Sequence, residues 1–263
     1  MLSIDPVVTA GTLVEFIADR VREAGKSKLV LGLSGGVDSA VAAFLATRAL
    51  GSEGLLCLLM PHRESSLESL RDARLVLEAL EVESETLDIS GLVDAFSELS
   101  GQVDQVRLGN VMARARMILL FDRSARHDAL VLGTSNKSEI LLGYGTLHGD
   151  LACAINPLGD LYKTQVWALA EELGVPRSII DKPPSADLWP GQSDEEELGF
   201  KYESMDRLLA LLVDEGAGKQ EAVERGFPEE MVDHVSGLIA RFQFKRRLPA
   251  IARTSSGPGV WLS

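Results

Sequence analysis

Two cysteines, Cys57 and Cys153, are all that this 263-residue chain contains, so no disulfide framework holds it and its stability rests on a packed core. Apolar runs are short. The stretch 55–61 falls far below the roughly 20 residues a helix needs to cross a bilayer, which excludes membrane-spanning classes. No basic segment followed by an apolar one follows Met1, so no signal peptide is read and a reducing cytoplasm is the expected compartment. Basic residues are scarce as well: 26 Lys and Arg face 39 Asp and Glu, and a net charge of −13 repels nucleic acid and anionic lipid over most of the surface. Internal repeats and low-complexity tracts are absent.

What is present is ordinary globular material, 46% hydrophobic and 25% charged with mean hydropathy +0.10, enough for one large α/β domain. One stretch, 241–253, breaks the acidic trend with Arg241, Lys245, Arg246, Arg247 and Arg253 and no acid. Such a segment either complements a helix C-terminus or offers cations to a small anionic ligand, and its composition fits both.

Strand-like runs at 29–33, 55–60, 85–89 and 130–134 alternate with helical patterns at 7–24, 39–50, 67–80, 111–126 and 161–173, the last stopped by Gly174 with Pro176 beyond. The alternation predicts an α/β fold, a single parallel sheet with helices on its faces. Past Gly174 the strand pattern ends. Residues 182–193 are rich in Pro and Gly, which predicts a functional loop over 183–199, and helical patterns at 201–213 and 229–244 predict a small C-terminal helical appendage on the same domain.

The sharpest local feature is Gly32, Leu33, Ser34, Gly35, Gly36, Val37, Asp38 and Ser39, which follows a strand and opens a helix. Paired glycines let backbone N–H groups converge, Ser34 and Ser39 add hydroxyl donors, and the helix N-terminus adds a positive dipole end, so the loop suits phosphate. Asp38 repels phosphate by itself and makes sense beside Mg²⁺. Three other motifs compete. Gly25-Lys26-Ser27 lacks the earlier glycine of a Walker loop, where Arg20 stands, and precedes a strand. Gly143-Tyr144-Gly145 lacks the third glycine of a dinucleotide fingerprint at His148. Residues 32–36 do spell Gly-x-Ser-x-Gly, the nucleophile elbow of a serine hydrolase with Ser34 as nucleophile; that reading stays open, although a single preceding strand and the following Asp38 argue against it.

The six residues from Ser34 to Ser39 resemble the pyrophosphate loop of the N-type ATP pyrophosphatases, which cut ATP between the α and β phosphates to adenylate a substrate. Four further ordered stretches, 109–117, 132–139, 156–166 and 182–199, resemble the ammonia-dependent NAD⁺ synthetases, and the similarity runs from the first helix to about Pro249. The resemblance implies a doubly wound sheet like that of the adenine nucleotide α-hydrolases. It also implies a two-step reaction: the carboxylate of deamido-NAD⁺ attacks the ATP α-phosphate, and ammonia then displaces AMP from the acyl adenylate. Carried over residue by residue, Gly32 through Ser39 cradle the ATP phosphates with Thr134, Lys163 and Ser185. Asp38 and Glu139 hold Mg²⁺, Asp38 and Lys163 serve catalysis, and Arg114, Asp150 and Lys245 face the dinucleotide. Taken singly, Arg114 and Arg116 also read as a surface pair on a helix, and Glu139 and Lys163 as solvated helix residues. His62, His127, His148 and His234 lack metal-ligand spacing, and Cys57 reads as an inert core thiol.

Glutamine-using relatives of that family carry an additional N-terminal domain, whereas 28 residues precede the first strand here, so free ammonia is the expected donor and glutamine is expected to serve only through a separate amidotransferase. Helix 111–126 runs Met117, Ile118, Leu119, Leu120 and Phe121 consecutively, more apolar surface than one sheet face covers, which predicts a homodimer through this helix with Arg114 near the interface. The loop 183–199 is expected to be mobile and to close over the adenylate. Three positions depart from the commonest family pattern on the dinucleotide side: Leu147 for Lys, Ala154 for Asp and Phe244 for His. They leave open that the acceptor is another carboxylate.

Overall fold

The computed structural model describes residues 2–189, 191–252 and 254; Pro190 of the predicted loop and Arg253 of the basic stretch lie outside the described residues. Leucine-rich runs with no polar face form the centre. Strands β1 (Leu29–Gly32), β2 (Leu55–Leu59), β3 (Glu83–Thr86) and β4 (Leu130–Leu132) make one parallel sheet in the order β3-β2-β1-β4. The period of two along a strand splits the apolar residues between two layers. Leu29, Leu31, Leu55, Cys57 and Leu59 face α1 (Pro6–Glu23), α2 (Val37–Leu50), α3 (Leu67–Leu80) and α7 (Lys163–Leu173). Val30, Leu56 and Leu58 face α4 (Ser90–Ser100) and α5 (Gln105–Arg126). Burial on both faces is what a parallel sheet requires.

A third apolar cluster joins α6 (Lys137–Leu142) to the helices that follow α7: α8 (Arg177–Ile180) leads to α9 (Asp194–Leu198), α10 (Tyr202–Leu209), a wider-wound continuation Ala210–Asp214, α11 (Lys219–Glu224) and α12 (Glu229–Arg241). This is the predicted helical appendage, docked on the end of the sheet through Leu142, Tyr162 and Tyr202.

The boundaries differ from expectation where pairing or capping, and not apolarity, decides. β3 starts two residues earlier than 85, because an edge strand pairs through its backbone (Leu56 with Glu83 through Leu59 with Thr86) whatever its side chains are. Leu87 and Ile89 extend that pairing by donating to Leu59 O and Pro61 O. Helix α5 begins at Gln105 and not at residue 111, because the Asp104 carboxylate caps Arg107 N–H at 2.9 Å. The last helix ends at Arg241, and a tight 3₁₀ turn, Gln243–Arg246, carries the chain on.

Because β2 and β4 flank β1 on opposite sides, the loops after β1 and β4 diverge and leave a crevice at the C-terminal edge of the sheet, the switch point where open α/β sheets bind ligands.

Candidate active site

A cavity of about 880 Å³ opens at that crevice. Its floor is the loop after β1. Gly35 adopts φ +83°, and a Cβ there would lie 2.1 Å from Ser69 O at the start of α3, so only glycine fits both the conformation and the space. Ser39 Oγ accepts from Ser34 N–H at 3.2 Å and lies 3.0 Å from Ser34 Oγ, while Gly36 N–H donates to Ser34 Oγ at 3.2 Å. Gly36 caps α2 without a side chain, which leaves the positive end of that helix uncovered. Among the described residues the Ser34 side chain is bonded to serine and glycine alone and no histidine lines the cavity, so the geometry lacks the base a hydrolase elbow needs.

The chemistry concentrates on one ammonium group. Lys163, 3% exposed at the start of α7, donates from Nζ to Asp38 Oδ2 at 2.5 Å and pairs with Glu139 Oε1 at 3.6 Å. Asn136, fully buried, ties the same groups together: its Nδ2 donates to Asp38 Oδ1 at 2.9 Å, its Oδ1 caps Glu139 N–H at 3.0 Å, and its own N–H reaches Glu139 Oε2 at 3.2 Å. Asp194 adds a third carboxylate, 4% exposed, whose Oδ1 accepts from Ala186 N–H at 3.0 Å and from Tyr144 Oη at 2.9 Å. Below Lys163, Nζ lies 5.5 Å from the centre of the Tyr202 ring, and the buried Tyr202 hydroxyl has no hydrogen-bond partner among the described residues.

Three carboxylates around one ammonium leave the centre short of positive charge. Burial, then repulsion from Asp38, lifts the Glu139 carboxyl to about 8. Burial also raises Asp194. Burial alone would lower Lys163, yet Asp38, Glu139 and Asp194 outweigh it and hold the ammonium above its usual range. Asp38 and Glu139, hard oxygen donors in the first turns of two helices that meet across the crevice, fit Mg²⁺, which takes one or two carboxylates and completes its shell with phosphate and water. Among the described residues no group of three or more His, Cys, Asp or Glu is placed to enclose a metal by itself.

Of the residues singled out from sequence, Gly32, Leu33, Ser34, Gly36, Val37, Asp38, Ser39, Thr134, Glu139, Asp150, Lys163, Ser185 and Lys245 all line this cavity. Asp150 Oδ1 accepts from Thr146 N–H at 2.8 Å, and Lys245 Nζ donates to Gly143 O at 2.8 Å and Gly145 O at 2.7 Å. Gly35 belongs to the floor through its packing on Ser69. Arg114 stands apart: it lies on the exposed side of α5 and donates to Leu147 O at 3.2 Å, while Arg116, two residues on, lines the cavity and donates to Met60 O at 3.0 Å. Leu147, Ala154 and Phe244 do not line the cavity, but Thr146, Ala152 and Lys245 beside them do. Asn136, Tyr144 and Asp194 were not singled out. Asn136 and Asp194 fall inside the recognised stretches, and Asn136 carried a readable signal, a helix cap with Glu139 three residues on.

Glu139→Gln tests this charge balance. A carboxyl whose pKa is raised on folding binds a proton that the unfolded chain has released, so its contribution to stability is lost as pH rises from about 4.5 to about 8. In metal-free protein, thermal denaturation is expected to show Glu139→Gln more stable than wild type at pH 8, by on the order of a few kcal/mol, with the difference closing at pH 5.

Comparison with known proteins agrees with this geometry. The NAD synthase family model matches residues 9–249. An NH(3)-dependent NAD(+) synthetase of Chlorobaculum parvum is 50% identical over 260 residues, 98% of this chain and 94% of that protein. The structure of an NMN synthetase from Francisella tularensis superposes with TM-score 0.86 at 33% identity, covering 96% of this chain and 100% of the other. That of an NH3-dependent NAD synthetase from Campylobacter jejuni gives 0.82 at 35%, covering 95% and 100%. With nearly its full length matched and its glycine and serine loop at the switch point of the sheet, the chain belongs to the NAD synthase family.

Proposed function

We propose that this protein is an ammonia-dependent NAD⁺ synthetase: it adenylates the nicotinate carboxylate of deamido-NAD⁺ with ATP and lets ammonia displace AMP. The observation that carries this reading is the Asp38, Lys163 and Glu139 centre beside the glycine and serine loop, in a crevice that offers a triphosphate both a helix N-terminus and a carboxylate pair.

In this reading Gly32 through Ser39 receive the β and γ phosphates, with Thr134 and Ser185 on the walls. Asp38 and Glu139 hold Mg²⁺, which when bound neutralises charge on the departing pyrophosphate. Lys163, whose buried ammonium sits beside the loop, would stabilise the negative charge that develops at the α-phosphate. Asp150 and Lys245, on the far wall, orient the dinucleotide. Arg114 reaches it only across an interface, which the homodimer supplies. In α5, Met117 and Leu120 line the cavity and Leu119 packs on the sheet, whereas Ile118 and Phe121 remain 55% and 41% exposed on the side that carries Arg114. A second copy of α5 covers that face. The loop 183–199 acts as the lid: Asp187 Oδ2 accepts from Ser66 N–H at 3.2 Å, and Lys182 Nζ donates to Asp72 at 2.9 Å. A separate amidotransferase supplies ammonia where glutamine is the source, and the cytoplasm is the compartment in which these substrates meet; no helix among the described residues is long and apolar enough to cross a membrane.

A second reading keeps the chemistry and changes the acceptor to the mononucleotide. It is favoured by Leu147, Ala154 and Phe244, which remove two charges and an imidazole near the dinucleotide wall, and by the similarity to an NMN synthetase.

One assay separates these readings. Protein, ATP, Mg²⁺ and ammonium with deamido-NAD⁺ are expected to yield AMP, pyrophosphate and NAD⁺ together, with glutamine giving no product in their place. Asp38→Ala is expected to lose all three products and keep its fold. Pyrophosphate release stimulated by the mononucleotide and not by deamido-NAD⁺ selects the second reading. Steady-state kinetics of Lys245→Ala are expected to show the KM for deamido-NAD⁺ up about tenfold with that for ATP unchanged, since a lost charge-assisted contact is worth about 1.5–3 kcal/mol. Light scattering at micromolar concentration is expected to give a dimer, and Ile118→Glu a monomer. Limited proteolysis is expected to cut within 183–199 in ligand-free protein and to be suppressed by ATP with Mg²⁺.

A further inference from the structure

Across α10 from the catalytic lysine lies a second cavity, of about 470 Å³, to which neither the reaction nor the family resemblance gives a role. It is formed where the chain leaves α9, by Phe200, Lys201 and Arg207 on one side and Arg225, Phe227 and Met231 on the other. The size falls within the roughly 300–1,000 Å³ usual for small-molecule sites.

Its composition is unlike the rest of this acidic surface. Arg225 is neutralised by Glu215 and Glu221, at 2.7 and 2.6 Å. Lys201 and Arg207 have no carboxylate partner among the described residues, and both are exposed. The Arg207 guanidinium instead stacks over the Phe227 ring, 5.7 Å from its centre, which fixes the fork at the rim of an aromatic wall. Phe200 forms the opposite wall and is steadied by His234, with ring centres 5.9 Å apart. Two uncompensated cations above an aromatic and methionine floor select a ligand with two parts, an anionic head and a flat apolar body. A bare phosphate leaves the rings uncovered, and an uncharged aromatic leaves the cations unpaired.

We infer that this cavity is a binding site for a nucleoside monophosphate, its phosphate on Lys201 and Arg207 and its base against Phe200 and Phe227. The inference goes beyond the proposed reaction and does not depend on which acceptor that reaction uses. The site has a direct mechanical link to the catalytic centre. On the face of α10 opposite Ser204 and Arg207, Tyr202 lies under Lys163, and Asp206 accepts from Ser138 Oγ at 2.5 Å and from Thr164 N–H at 2.9 Å. One short helix therefore carries both the rim of the cavity and the support of Lys163 and α6.

The test is calorimetric titration of AMP into the full-length protein with the catalytic cavity filled by a saturating non-hydrolysable ATP analogue and Mg²⁺. One AMP per chain is expected to bind, and a variant with Lys201→Ala and Arg207→Ala is expected to bind it at least tenfold more weakly while keeping the wild-type melting temperature and ATP affinity. Inorganic phosphate in the same titration is expected to bind at least tenfold more weakly than AMP. Absence of AMP binding, equal AMP affinity in the variant, or phosphate binding as tight as AMP would each overturn the inference.

Discussion

A single buried ammonium, Lys163 Nζ, holds the catalytic end of the molecule together. It joins the first turn of α2 through Asp38, the first turn of α6 through Glu139, and the start of α7, three segments far apart in sequence that meet at this charge. Desolvating two carboxylates is costly, and one cation does not repay it, which is why Glu139 is held so far above the usual carboxylate range. The fold tolerates that deficit because the surroundings are fixed by other means. Asn136 caps α6 and pins Asp38 at once, and Asp206 binds both Ser138 and Thr164. A centre left electrostatically unfinished by rigid neighbours suits the divalent cation and polyphosphate that the proposed reaction brings together, two partners that complete each other's charge.

Much of this was legible in the sequence, for identifiable reasons. β1 and β2 announce themselves because a strand buried on both faces is apolar at every position, and α3 runs from Leu67 to Leu80 as its helical pattern predicts. The loop after β1 is legible because its signature is local: glycine, serine and a helix start within eight residues. The edge strand β3 and the first turns of α5 are harder to place because backbone pairing and an aspartate cap define them, and neither leaves an apolar signature.

The site residues divide along the same line. Asp38, Glu139 and Lys163 are assignable by resemblance, but nothing local says that one lysine serves both carboxylates, since that contact spans 125 residues for Asp38. Asp194 opens a run of four acids inside the stretch read as the loop 183–199, and only the fold makes that run a helix and turns the first of its acids inward. Arg114 and Arg116 look equivalent in sequence, yet two steps along a helix rotate a side chain by about 200°, enough to put one in the cavity and the other on the outer surface. Consecutive apolar residues in α5 likewise sort by angle into cavity wall, sheet contact and outer face.

The position of Asp194 has one more consequence. Two of the three carboxylates at the centre belong to the rigid end of the sheet, but the third rides on the loop that covers the site. Any displacement of that loop is then also a change in local charge. Withdrawn, it removes one negative charge and eases the approach of a highly anionic nucleotide through the field of a chain with net charge −13. Returned, it restores that charge behind the nucleotide, where it attracts cations and repels further anions. In the proposed mechanism such a loop would act as an electrostatic valve as well as a steric one, its polarity set by where one aspartate falls in the chain.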